Sequence, residues 1–156
     1  MIVVVVIGIL AAVAVPFFLS ESRKTRSDAE IMSMFAELST KQEQYKLDNG
    51  IYLAVPACPA TPSAQLQDIT SCKSSASWTA LRIQSPQSTL RCSYAVTVGA
   101  AGVNPTPPTG FTLPTNPANG WYFILATCDM DGTSSVNGQF LQSSLDSTVQ
   151  KLNAGR

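Results

Sequence analysis

Four cysteines and one short acidic segment are the residues of this 156-residue chain whose types and spacing suggest chemistry. Cys58, Cys72, Cys92 and Cys128 include no pair with C-x2-C spacing, and the chain contains no histidine. Since structural zinc sites are built from such pairs and from histidine, we predict disulfides and no metal centre at the cysteines. Four cysteines allow three different pairings.

Two segments that we predict to be β-strands, 91–98 and 121–127, favour one of these three cysteine pairings. If segments 91–98 and 121–127 are antiparallel neighbours, Cys92 at the start of the first lies beside Cys128, just after the second. Cys58 and Cys72 would then close a short loop. We therefore predict the disulfides Cys58–Cys72 and Cys92–Cys128, each of which would stabilise a small domain by about 2–4 kcal/mol.

The acidic segment Asp129-Met130-Asp131-Gly132-Thr133 is the one candidate for a ligand site. It begins like a calcium-binding loop, but the glutamate expected at position twelve is replaced by Phe140. Aspartates in such segments more commonly accept hydrogen bonds from backbone amides of a turn. We predict a turn and no cofactor, and keep calcium at Asp129 and Asp131 as the less favoured alternative.

Enzymatic catalysis and nucleic-acid binding find little support in the composition. The chain has no histidine to act as a general base, and the cysteines are assigned to disulfides. Acidic and basic residues number ten each, so the formal net charge is zero, and no basic cluster indicates nucleic acid. We predict that the protein is not an enzyme.

An uncharged run, Met1–Leu19, opens the chain. As a helix it would be about 28 Å long, close to the roughly 30 Å hydrocarbon core of a bilayer. A cleaved signal peptide has a shorter apolar core, which is followed by a small-residue cleavage site. The run in this chain is longer, and no such site follows it. We predict that residues 1–19 form a helix buried in lipid or in protein.

This run continues into the charged segment 20–50 without an intervening glycine or proline. Apolar residues in that segment recur at spacings of four, three and seven, which predicts one apolar stripe along a helix: Ile31, Phe35, Leu38 and Tyr45. The expected structure is one continuous helix of nearly fifty residues, amphipathic in its second part.

Two positions interrupt the regularity of the predicted helix, and a third feature ends it. Pro16 removes a backbone donor, so we expect a kink there, and Gly8 weakens the helix further. Asn49-Gly50 supplies the stop signal.

Residues 51–156 have the composition of a small extracytoplasmic domain, with nine of the ten prolines and all four cysteines. We predict about four antiparallel strands that cover the helix stripe, which makes the fold class α+β. The predicted strands are Trp78–Ile83, Arg91–Val98, Trp121–Thr127 and Gln139–Gln142, with Val149–Asn153 as a fifth, edge strand. Two interpretations of the Pro/Thr-rich loop 99–120 remain open: an exposed surface for subunit contact, adhesion or glycosylation, and a tolerated insertion.

The segment Met-Ile-Val-Val-Val-Val-Ile-Gly-Ile-Leu-Ala-Ala-Val-Ala-Val-Pro, residues 1–16, resembles the N-terminal segment of type IV pilins and type II secretion pseudopilins. This resemblance implies the pilin fold, in which the long helix packs on the β-sheet head. It also assigns flexibility to Gly8 and Pro16, and packing of helices in a filament to the following residues: Met1, Ile2, Val5, Ile9, Leu10, Val13, Pro16 and Phe17.

In that family a prepilin peptidase removes a basic leader next to a phenylalanine, which becomes methylated and is followed by Thr-Leu-Ile-Glu-Leu. Aligned on the motif, the family's glutamate would lie two residues before Met1. The resemblance therefore implies that the leader, the phenylalanine and this glutamate are encoded upstream.

The function implied by the resemblance is that of a structural subunit of a type IV pilus, assembled with itself by the pilus machinery for adhesion, motility or DNA uptake. The monomer would lie in the bacterial inner membrane and the filament on the cell surface. One alternative is a minor pilin or type II secretion pseudopilin. Another, from a different class, is a monomeric membrane-anchored binding domain.

Overall fold

The computed structural model describes residues 2–85, 87–132 and 136–155, and within residues 1–23 it describes the side chains of Val3, Ile7 and Leu10 alone. The first element is helix α1, Ile2–Asn49, of 48 residues. Its length agrees with the predicted continuous helix, and its bounds include Pro16. The predicted kink at Pro16 lies outside the described side chains and stays a prediction, as does the flexibility assigned to Gly8.

A five-stranded antiparallel sheet forms the centre of the head, residues 51–156. In their order across the sheet, the strands are β1 (Val55–Cys58), β4 (Ser93–Gly99), β5 (Trp121–Cys128), β6 (Gly138–Ser143) and β7 (Gln150–Leu152). The fold is therefore α+β, as predicted, and β4 to β7 match four of the predicted segments.

Between β1 and β4 the chain forms four short elements. They are β2 (Gln67–Asp68), α2 (Thr70–Lys73), α3 (Ala76–Leu81) and β3 (Thr89–Leu90), of which β2 and β3 form a separate two-stranded sheet.

The strand predicted at Trp78–Ile83 is wrong, because this segment lies mostly in α3. The Ser75 hydroxyl caps the helix by accepting from the Trp78 amide at 3.5 Å, and Arg82 ends it in the left-handed conformation. Trp78 and Leu81, three residues apart, both lie in the core. The aromatic and branched residues suggested a strand, but the serine cap and this spacing produce a helix.

Strand β1 was not predicted, although it completes the sheet. It contains Pro56, and proline is compatible with a strand only where the backbone amide has no ladder partner to serve. β1 occupies an edge of the sheet, and its register with β4 shifts between Val55 and Cys58. The sheet therefore has five strands where about four were predicted.

Both faces of this sheet are covered. On the face toward α1, side chains of the predicted stripe pack with Tyr94, Ile124 and Phe140. Ile31, Phe35 and Leu38 are almost completely buried, and Tyr45 packs partly buried at the margin. The predicted stripe is therefore confirmed.

On the opposite face, loop 99–120 contributes to a second apolar cluster. Phe111 of the loop packs with Trp121, Phe123 and Leu141. The Trp121 indole donates to the Val103 carbonyl at 2.7 Å, which holds the start of the loop to the sheet. Part of the loop is thus structural, a role that neither sequence-based interpretation had anticipated.

Both predicted disulfides are present in the structure. Cys92–Cys128 joins the start of β4 to the end of β5, with 4.3 Å between Cα atoms. Cys58–Cys72 joins β1 to α2 across 6.1 Å. The strand-neighbour argument was correct because Ser93 and Thr127, the adjacent residues, are paired in the β4–β5 register.

Candidate functional site

The junction between α1 and the head contains a carboxylate that accepts hydrogen bonds from three donors. Glu30 lies one residue before the buried stripe begins. Its Oε1 accepts from the amides of Arg91 and Cys92 at 3.1 Å and from the Tyr94 hydroxyl at 3.0 Å. Its Oε2 accepts a second bond from the Arg91 amide, also at 3.1 Å. Glu30 therefore fixes the position of α1 along the start of β4.

The pKa of Tyr94 reflects this environment. Burial raises the pKa of its hydroxyl, and the negative charge of Glu30 and the hydrogen bond to it raise the pKa further. The hydroxyl consequently stays protonated and able to donate to Glu30 far above neutral pH.

A second polar contact lies three turns further along α1. The side chain of Gln42, which is fully buried, accepts from the Leu53 amide at 3.0 Å and donates to the Leu53 carbonyl at 2.6 Å. This pair of bonds imitates a rung of a β-ladder. It holds the chain that leaves α1 against the helix until that chain enters β1.

The C-terminal end of α1 is held by a third polar contact. The Tyr52 hydroxyl donates to Glu43 at 2.8 Å and accepts from the Lys46 amine at 3.0 Å, and the same amine lies 4.4 Å from the Tyr52 ring centre. The Tyr52 pKa is raised, mainly by burial and next by the hydrogen bond to Glu43. Contacts at Glu30, Gln42 and Glu43 thus attach α1 to the head over more than three turns.

The N-terminal part of α1 differs sharply from this attached part. Val3, Ile7 and Leu10 are 69%, 61% and 64% exposed. Their spacings of four and three place them on one side of the helix. An apolar helix side of this kind needs a covering surface, either lipid or protein.

Of the predicted assembly residues, the structure describes the side chain of Leu10, which is exposed. The remaining ones, Met1, Ile2, Val5, Ile9, Val13, Pro16 and Phe17, lie outside the described side chains. Among the residues that the structure describes, no helix is long and apolar enough to cross a membrane. Within the predicted span, 1–19, the side chains described are those of Val3, Ile7 and Leu10.

The described part of the acidic segment, residues 129–132, forms a turn, as predicted. The Asp129 carboxylate accepts from the Gly132 amide at 2.7 Å, and Gly132 adopts a left-handed conformation with φ of 77°. Asp131 lies on the same turn and is exposed. Within the described residues, no group of three or more acidic, cysteine or histidine side chains could hold a metal ion. Calcium at Asp129 and Asp131 stays a prediction.

Neither Glu30 nor Gln42 was predicted from the sequence to hold the helix to the head. Glu30 follows the pattern of a solvated helix charge, but it lies one residue from Ile31, at the edge of the stripe. Gln42 lies four residues after Leu38, and so continues the stripe as a polar member. A polar residue at a position of the apolar stripe is the sequence signal that could have identified Gln42.

No family model, curated protein or solved structure matches this chain.

Proposed function

We propose that this chain is a structural subunit of a type IV pilus-like filament, with the pilin fold and with the N-terminal part of α1 as its assembly surface. The observation that carries the proposal is the division of one helix between two environments. Its second part is attached to the head by a buried stripe and polar contacts, whereas Val3, Ile7 and Leu10 in its first part are exposed.

The filament would assemble by burying the exposed side of α1 that contains Val3, Ile7 and Leu10. In the monomer the apolar segment lies in the inner membrane, and in the filament the same segment packs against those of neighbouring subunits. Because lipid and protein interior are similarly apolar, the exchange depends on close packing and dispersion more than on the hydrophobic effect. The firmly attached head follows its helix into the filament and forms the outer surface.

Two substitutions at Leu10 test the proposal. Leu10→Glu places a charge on the exposed side, and Leu10→Ala removes packing volume while the segment stays apolar. In cells expressing the complete gene, we expect Leu10→Ala to remain in the membrane fraction but to reduce sheared surface fibres, counted by electron microscopy. Leu10→Glu should abolish fibres. The matched control is Val103→Glu, which changes an exposed apolar residue of the head and should leave fibres intact.

A wild-type protein that reaches the membrane but never forms fibres would contradict the proposal and favour a monomeric anchored domain. Short fibres together with a calcium-dependent head would favour a pseudopilin. The residues encoded before Met1 are an independent check, since the proposal expects a basic stretch, a glycine and Phe-Thr-Leu-Ile-Glu-Leu there.

A further inference from the structure

The chain contains three asparagine–glycine pairs, Asn49-Gly50, Asn119-Gly120 and Asn137-Gly138. Asparagine is one of the thermolabile residues of proteins, and a following glycine favours its deamidation without an enzyme. The glycine backbone nitrogen attacks the side-chain carbonyl carbon of the asparagine, an approach that the missing Cβ of glycine leaves open. The carbon–nitrogen bond of the side-chain amide breaks, and ammonia leaves with the proton of the glycine amide. Water then opens the succinimide ring at either carbonyl, which gives aspartate or isoaspartate.

The pair at the end of α1 is held in a way that opposes this attack. The Gly50 backbone amide donates to the Lys46 carbonyl at 2.7 Å, so its nitrogen is engaged. The Asn49 side-chain amide donates to the Tyr45 carbonyl at 3.0 Å, which holds the side chain along the helix. Both hydrogen bonds must break before the ring can close at this pair.

The pair at the start of β6 is constrained by the sheet. Gly138 is buried, and it is paired with Cys128 of β5. Asn137 is half-buried, and its side-chain oxygen is enclosed by the protein. Ring closure would require the paired backbone and this side chain to move together. We therefore expect the pair to be protected in the folded chain.

The third pair, just before β5, has neither kind of constraint. Asn119 is exposed, and both Asn119 and Gly120 precede the first residue of the strand, Trp121. Among the described residues, none forms a hydrogen bond with the Asn119 side chain or with the Gly120 backbone amide. The attacking nitrogen and the side chain that it attacks are therefore both free at this pair.

We propose that Asn119 is a deamidation site of the folded protein and the first of the three asparagines to react. The reaction replaces a neutral amide with a carboxylate, and so adds one negative charge to a chain whose formal net charge is zero. Its isoaspartate product also lengthens the main chain by one carbon atom directly before β5. This inference does not depend on the proposed filament function.

Peptide mass analysis of the full chain in detergent micelles tests this site. Folded chain and chain unfolded in denaturant, both with intact disulfides, are incubated together at mildly alkaline pH. The mass increase that accompanies conversion of an amide to an acid is followed in the peptide that contains each pair. In the unfolded chain all three asparagines should react at similar rates. In the folded chain we expect Asn119 to react faster than Asn49 and Asn137 by about tenfold or more, a factor equivalent to 1.4 kcal/mol.

Gly120→Ala is the matched control for the chemistry of the attack. A Cβ atom at this position would lie 3.4 Å from the Gly99 carbonyl oxygen, so the folded backbone has room for the methyl group. The methyl group would hinder the approach of the backbone nitrogen to the Asn119 side chain. We expect the variant to deamidate more slowly at Asn119, while the rates at Asn49 and Asn137 stay unchanged.

Two results would overturn the proposal. One is a folded chain in which Asn49 or Asn137 reacts as fast as Asn119. The other is an unfolded chain in which Asn119 leads by the same factor as in the folded chain, because the difference would then arise from local sequence. A lead of Asn119 that is lost on unfolding supports the assignment.

Discussion

Replacement of Glu30 tests whether one side chain holds α1 in its position on the head. Glu30→Ala removes the acceptor of the Arg91 and Cys92 amides and of the Tyr94 hydroxyl. Tyr94 is among the most buried residues of the head. Its hydroxyl would lose its partner in a place that solvent hardly reaches.

The expected loss of unfolding free energy in Glu30→Ala follows from the three donors that Glu30 serves. A hydrogen bond to a charged acceptor contributes about 1.5–3 kcal/mol, and a buried donor left without a partner costs about 1–3 kcal/mol. Glu30 is only partly buried, so water will serve some of the amides once the side chain is gone. We expect Glu30→Ala to lower the free energy of unfolding by about 2–4 kcal/mol. For a chain of this size, this corresponds to a decrease in melting temperature of roughly 4–16 °C.

Thermal unfolding of the full chain in detergent micelles, followed by circular dichroism, measures this effect. Glu37→Ala is the matched control, because Glu37 lies two turns further along the same helix and accepts from one donor, the Gln84 amide. Glu37→Ala should lower the unfolding free energy by about 1.5 kcal/mol or less, the lower end for one hydrogen bond to a charged acceptor, because water reaches this half-buried side chain. Equal effects of the two substitutions would refute the role assigned to Glu30.

Two further predictions concern the sheet. A Cβ atom at position 99 would overlap the Trp121 indole, so Gly99→Ala should lower the unfolding free energy by about 1–3 kcal/mol; Gly120→Ala, which has space for its methyl group, is the control, and equal losses would contradict the steric argument. Burial, followed by the charge of Glu30, raises the pKa of Tyr94. The unfolded chain releases this proton near pH 10, so stability is complete below about pH 10 and falls as pH rises further. Melting temperatures measured against pH should fall less steeply in Tyr94→Phe, and an unchanged slope would exclude Tyr94 as a cause.

Those parts of the fold that rest on periodicity or on strand neighbours could be predicted from the sequence. The stripe Ile31, Phe35 and Leu38 repeats at helical spacing and is buried as that spacing requires. The disulfide Cys92–Cys128 followed from placing two apolar segments side by side. Both inferences needed only local pattern and one assumption about pairing.

The elements that the sequence did not reveal depend on contacts between distant segments. Segment 78–83 has the residues of a strand, but the Ser75 cap and the burial of Trp78 and Leu81 make it a helix. The partner of Gln42 is the backbone of Leu53, and any residue except proline could supply that amide and carbonyl. Phe111 lies in a proline-rich loop, and only the sheet face beneath it explains its burial.

Segments that cover both faces and one edge of the sheet limit the surfaces through which copies of the head could associate. One face of the sheet is covered by α1 and the other by loop 99–120. At the β7 edge, the Gln150 side chain bonds to the Thr112 amide and carbonyl, and thus holds the loop beside the strand. Sheet faces and this edge are therefore poor surfaces for association. Among the described residues, five of the nine exposed large apolar side chains lie on α1, at Val3, Ile7, Leu10, Met32 and Leu47, so this helix presents more exposed apolar surface than the covered sheet does.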